Sequence, residues 1–127
     1  MKLGHELIIE QLTELGYEAI SYPDHPQYPG GFVALKFKVP VGRFRGQEIE
    51  VAVNAPQFPA IPPSGPYIKP HLLPIQGGNT LPFDGIHARL VPTPDFQYWS
   101  RPYQDWVGTD QHIRTYISFL KALLDFE

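Results

Sequence analysis

Five histidines and no cysteine set the chemistry open to this chain of 127 residues. A thiol is the usual carrier of an acyl group, because its thiolate is available near neutral pH and leaves readily. Without one, proton transfer falls to imidazole, and attack falls to a hydroxyl with a base beside it. His87, in Asp84-Gly-Ile-His-Ala88, is the sharpest candidate. It reads as a base, a transient acyl carrier or a surface histidine with an ordinary hydrogen bond. Asp84 is the group that would orient it. Ser100 and Thr80 offer hydroxyls, and each equally reads as a turn cap two residues before a proline. His71, Asp84 and His87 could together hold zinc with one position open for hydrolysis, but their spacing fits no short ligand motif. Gly77-Gly78 is no phosphate loop, since no Lys-Ser/Thr pair follows. No cofactor and no resident metal are therefore expected.

The elements that must position these groups are legible from periodicity. Leu3, Leu7, Ile8, Leu12 and Leu15 recur at helical spacing, and Gly16 follows as a stop, predicting a helix over 3–15. Residues 17–22 alternate weakly and end in prolines, as an edge strand does. In 31–39, Val33, Leu35, Phe37 and Val39 form one apolar face, and in 47–53 Ile49, Val51 and Val53 do the same. With the Gly-containing turn 41–46 between them, these runs predict an antiparallel hairpin. Tyr67-Ile-Lys69 predicts a further short strand. Residues 70–108 read as a long ordered loop carrying aromatics, in which Trp99 and Trp106 serve as core and loop anchors. Thr109 reads as the N-cap of a last helix over 110–125, with an apolar stripe from Ile113 to Leu124.

Composition narrows the function classes. Thirteen acidic and ten basic residues give a net charge of −3, so nucleic acid and anionic membrane are not expected partners. Arg43 and Arg45 read as a solvated turn. No apolar run is long enough to span a membrane, and the first residues lack the apolar core of a signal peptide. The expected compartment is the cytoplasm, and the expected organisation one domain over 1–127. All fifteen prolines fall between Pro23 and Pro102, which marks organisation rather than low complexity.

The proline-rich centre carries a resemblance. Asn54-Ala-Pro-Gln-Phe-Pro-Ala-Ile-Pro-Pro63, then Tyr67-Ile-Lys-Pro-His71, then Gly85-Ile-His-Ala88, then Trp99-Ser-Arg-Pro102 follow the order of motifs in the ubiquitin-conjugating enzyme (UBC) fold. The chain resembles that family over nearly its whole length. It is more similar to compact bacterial UBC-like proteins than to the eukaryotic enzymes, and it lacks the family's two further C-terminal helices. The resemblance implies an α+β fold: a four-stranded antiparallel meander flanked by an N-terminal and a C-terminal helix, with a long ordered loop before the last helix.

It also implies a function. A conjugating enzyme accepts the C-terminus of a ubiquitin-like protein from an activating-enzyme-like adenylyltransferase and passes it to an amine. Compact bacterial members are encoded with such partners and with a JAB-type peptidase. Counted from Gly85, the family's cysteine falls on Ala88; anchored on Ile86, it falls on His87. Either a cysteine has been replaced there, or the chemistry proceeds without one. The family's Pro-Asn after the histidine is here Leu72-Leu73, and Asn79 is the amide that would stand in to stabilise an oxyanion. By family position, Ser100 and Thr80 are the hydroxyls nearest the site, with His87 or His71 as base, whereas His71 itself is expected to hold the loop through backbone. Phe58, Ile61 and the outer helix face of Glu6, Glu10 and Glu14 are the implied partner contacts. The glutamates also read as a solvated face. The alternative function is a non-catalytic UBC-like or RWD-like module that binds a ubiquitin-like protein or scaffolds its partners.

Overall fold

The computed structural model describes residues 2–22, 25, 28, 30–73, 85–89 and 91–125. Helix α1 spans Gly4–Glu14 and helix α2 spans Ile113–Leu124. Between them lie strands β1 (Ala19–Tyr22), β2 (Phe32–Lys38), β3 (Glu48–Asn54), β4 (Ser64–Lys69), β5 (Ile86–His87) and β6 (Gln97–Trp99). They form one antiparallel sheet in the order β1-β2-β3-β4-β6-β5. The fold is α+β, with six strands among the described residues instead of the expected four. The two additional strands come from the segment expected as loop. They are two and three residues long, too short for alternation to show in sequence, and their pairing is set by partners distant in the chain.

Alternation along the strands sorts side chains to two faces. Val33, Leu35 and Phe37 of β2, Ile49, Val51 and Val53 of β3, Ile68, Ile86 and Trp99 point to the helices. There they meet Ile8 and Leu12 of α1 and the stripe Ile113, Tyr116, Ile117, Leu120 and Leu124 of α2. α1 ends where expected. Tyr17 N–H donates to Leu12 O at 2.9 Å and Gly16 N–H to Thr13 O at 3.0 Å, with Gly16 at φ +88, a C-terminal cap that needs a residue tolerant of left-handed backbone.

The other face holds a second apolar cluster of Phe32, Ala34, Ala52, Tyr67 and Phe96, which alternation in β2 alone did not announce. Rings run across it in sequence: Tyr28–Phe32 at 5.1 Å, Phe32–Tyr67 at 4.8 Å, Tyr67–Tyr98 at 5.0 Å and Tyr98–His87 at 4.8 Å. Farther along the strands this face turns polar, with Lys36 opposite Glu50 and Lys38 opposite Glu48. Lys69 Nζ lies 3.2 Å from Glu50, and Tyr22 donates its hydroxyl to the same carboxylate at 2.8 Å. Burial and that acceptor push the Tyr22 phenol up to about 12.

The start of α2 differs from the expected one. Thr109 does not cap the helix; its hydroxyl donates to Trp106 O at 2.7 Å and accepts from Gln111 N–H at 3.0 Å. Gln111 stands at φ +54, which no helical turn accommodates, so the helix begins two residues later. His112 is the N-cap, its Nδ1 accepting from Arg114 N–H at 3.1 Å. Gln11 of α1 supplies a second cap, accepting Ile113 N–H through Oε1 at 2.8 Å. Asp110 remains useful in the turn before the helix. The Thr115 hydroxyl, the His112 N–H and Arg114 hold its carboxyl below the usual range.

Among the described residues two buried hydroxyls, those of Thr93 and Tyr116, are left without a hydrogen-bonding partner. The Tyr116 hydroxyl is buried with nothing to bond, and burial drives its pKa far upward. Tyr116→Phe should therefore stabilise the protein, by about 1 kcal/mol, since an unmade buried hydrogen bond is removed at little change of shape. Chemical denaturation read by fluorescence would check it; a loss of stability would show that the hydroxyl is bonded in solution.

Candidate functional site

The β5–β6 hairpin brings the Gly-Ile-His-Ala and Trp-Ser segments together. Ile86 pairs with Trp99 and His87 with Tyr98, and Ser100 N–H donates to Gly85 O at 3.1 Å. Gly85 sits at φ +71, and a β-carbon there would stand 3.1 Å from the Ser100 β-carbon, so the close approach at the head of β5 requires glycine. Trp99 turns inward and is buried, as expected of a core anchor. Ala88, at the position the resemblance gives to cysteine, is exposed.

His87 is half-buried against the Tyr98 ring. Its Nδ1 accepts from Arg89 N–H at 3.1 Å. The neutral ring therefore carries its proton on Nε2, which makes that nitrogen a donor rather than a base. Burial, with a smaller contribution from the Arg89 charge, lowers its pKa and keeps it neutral. The register sets Ser100 opposite Gly85, not opposite His87. Both side chains fall on one face of the hairpin, a diagonal step of about 7 Å between β-carbons. Asp84, Asn79 and Thr80 lie outside the described residues.

His71 is turned to backbone. Its Nε2–H donates to Phe96 O at 2.9 Å and Pro94 O at 3.2 Å, which ties the segment after β4 to the one before β6. That geometry matches the loop-holding role and removes Nε2 as a base. Among the described residues no three His, Asp or Glu side chains converge as metal ligands.

Sequence reasoning missed Gln97. It is the one buried polar residue of the described core, fully enclosed. Its Oε1 accepts from Leu72 N–H at 2.9 Å, Leu73 N–H at 3.0 Å and Trp99 Nε1–H at 3.0 Å, while Nε2 donates to Leu73 O at 2.8 Å. The Leu72-Leu73 pair, which stands where the resemblance expects Pro-Asn, is thus locked to β6 by a single amide. The available signal was a lone glutamine between aromatics in Phe96-Gln-Tyr-Trp99.

The implied partner contacts divide. Phe58 is fully buried, so its expected role as an exposed contact is corrected. It packs on Trp106 at 5.8 Å, and Trp106 donates Nε1–H to Pro59 O at 2.6 Å. That packing turns Phe58 inward and leaves Ile61 outside, 52% exposed. Val107, 78% exposed, follows Trp106, and Leu3, 56% exposed, precedes Gly4, whose N–H donates to Phe58 O at 2.8 Å. Three exposed apolar side chains therefore flank the Phe58–Pro59 turn. On the outer face of α1, Glu6 and Glu14 are exposed and Glu10 pairs with Lys2 at 3.1 Å; with Ile9 and Thr13 they line a groove of about 530 Å³.

Comparison with known proteins adds no relative: no family model, no curated protein and no solved structure matches this chain. Its functional reading rests on the residues themselves.

Proposed function

We propose that this protein is a UBC-like component of a bacterial ubiquitin-like conjugation pathway that positions the C-terminus of a ubiquitin-like protein without holding it as a thioester. The observation that supports this most is the pairing of Ile86 with Trp99, which joins two motifs 13 residues apart in the order the family uses. The meander β1–β4 and the proline-rich connection from β3 to β4 agree with it. Ala88 has no nucleophilic atom, and the His87 Nε2–H is oriented as a donor, suited to an acyl oxygen rather than to activating a hydroxyl. Its partners are then an adenylyltransferase and the ubiquitin-like protein, with a JAB-type peptidase in the same system and the cytoplasm as the setting.

The second reading is catalytic, with Ser100 or Thr80 forming an oxyester. Incubation with ATP, a co-encoded adenylyltransferase and its ubiquitin-like protein separates the two. The expected result is a stable complex by size exclusion and no adduct on a denaturing gel. A hydroxylamine-sensitive adduct lost in Ser100→Ala or Thr80→Ala would replace positioning by acyl transfer. Absence of both complex and adduct would remove the pathway altogether.

A further inference from the structure

Among the described residues, His5 is a titratable group through which α1 grips the rest of the molecule. Its Nε2 accepts Ala55 N–H at 2.8 Å, and its ring also bonds the Gly30 carbonyl. The neighbouring contacts do not titrate. Gly4 N–H donates to Phe58 O at 2.8 Å, Asn54 Nδ2 donates to Gly31 O at 2.6 Å, and the Ser64 hydroxyl donates to Asn54 O at 2.9 Å. Together they clamp segment 54–58, which leads into the exposed Ile61. A Cβ at Gly4, whose φ is +63, would lie 2.9 Å from Pro56 O, so helix and segment are in direct contact here.

We propose that His5 is an acid-sensitive latch that holds segment 54–58 against α1 while its ring is neutral and releases it on protonation. The chemistry is local. With Nε2 accepting Ala55 N–H, the neutral ring carries its proton on Nδ1, and Nε2 is the lone pair that the amide requires. A proton on Nε2 sets donor against donor and orphans a backbone amide. Charged neighbours do not compensate. Segment 54–58 and Gly30-Gly31 carry no ionisable side chain. The described part of the β1–β2 connection brings His25 and Tyr28, whose rings are turned to Phe32 at 5.4 and 5.1 Å. On α1 and just before it, the charges within five residues of His5 are Lys2, paired with Glu10, and the exposed Glu6. Burial is what lowers the His5 pKa below its ordinary 6.5, and the Gly30 bond opposes it only in part. A folded value below the unfolded one means that the latch is fully closed above about pH 6.5 and weakens as pH falls.

Amide exchange of the full chain, read by NMR, tests this. Linkage to an open-state histidine of pKa about 6.5 predicts that Ala55 protection falls by up to about tenfold between pH 7.5 and 5.5. In His5→Gln, whose side-chain oxygen accepts without titrating, the fall should vanish, and in His25→Gln it should persist. Constant Ala55 protection in the natural sequence overturns the latch, as does a fall that survives in His5→Gln or disappears in His25→Gln. If His5→Gln does not fold, imidazole nitrogen shifts of the natural protein decide: a protonated Nε2 at pH 7.5 overturns it, and an unprotonated Nε2 that titrates together with the Ala55 amide supports it.

Discussion

Gln97→Leu should lower stability by about 4 kcal/mol, the largest loss expected from any polar substitution among the described residues. Leucine keeps most of the volume but accepts nothing. Leu72 N–H, Leu73 N–H and the Trp99 indole N–H would each lose an acceptor, and Leu73 O would lose its donor, all in a site closed to water. Every unpaired buried group costs about 1–3 kcal/mol, less than additively because the segment relaxes. For a domain of this size the midpoint of thermal unfolding should drop by about 12–20 °C. Gln97→Glu provides the control. When protonated, the new carboxyl both accepts and donates as the amide does; when ionised, it turns a charge toward Leu73 O. Recovery of most of the lost stability at low pH, where the carboxyl is protonated, would assign the loss to the missing hydrogen bonds rather than to a change of shape. If Gln97→Leu melts within a degree or two of the natural protein, the buried amide does not hold this corner together.

Trp106→Ala should cost about 3–5 kcal/mol. The indole is buried, contacts Phe58 at 5.8 Å and Tyr103 at 5.5 Å, and donates to Pro59 O at 2.6 Å. Truncation opens a cavity and frees the turn that presents Ile61. Trp106→Phe separates the two contributions: the ring contacts persist while the Pro59 bond is lost, for about 1–2 kcal/mol. Amide exchange should show the difference in place as well as in size. Ile61 N–H, which donates to Gln57 O at 3.1 Å, should exchange faster in both variants, and α2 amides only in the alanine variant. Equal exchange at Ile61 in all three proteins would show that the turn stands without its indole strut.

Much of this fold was legible because periodicity is a local property. The stripe of α2, the faces of β2 and β3 and the glycine stop of α1 each declare themselves within a dozen residues. What escaped was non-local. β6 exists because β4 offers it an edge and β5 because β6 does, and two or three residues carry no period. Thr109 has the chemistry of a cap, but Trp106 O and Gln111 N–H claim its hydroxyl first. The apolar loop residues Phe58 and Ile61 look alike in sequence, and only the position of Trp106, 47 residues after Pro59, decides which of them is covered. The same holds at the candidate site. His87 stood out as a residue, but its tautomer depends on Arg89 N–H, and the role of Gln97 depends on a segment 24 residues away.

The side chain of Gln11 closes the first turn of α2 across 102 residues of chain. During synthesis, α1 leaves the ribosome first yet finds neither its helical neighbour nor the amide its glutamine serves until the last segment follows. Until then α1 has only the sheet to pack on, and the docking of one helix against the other comes late. A version of the protein with its ends fused and a new opening cut in the 41–46 turn would bring the two helices out together, and it should acquire its native form sooner.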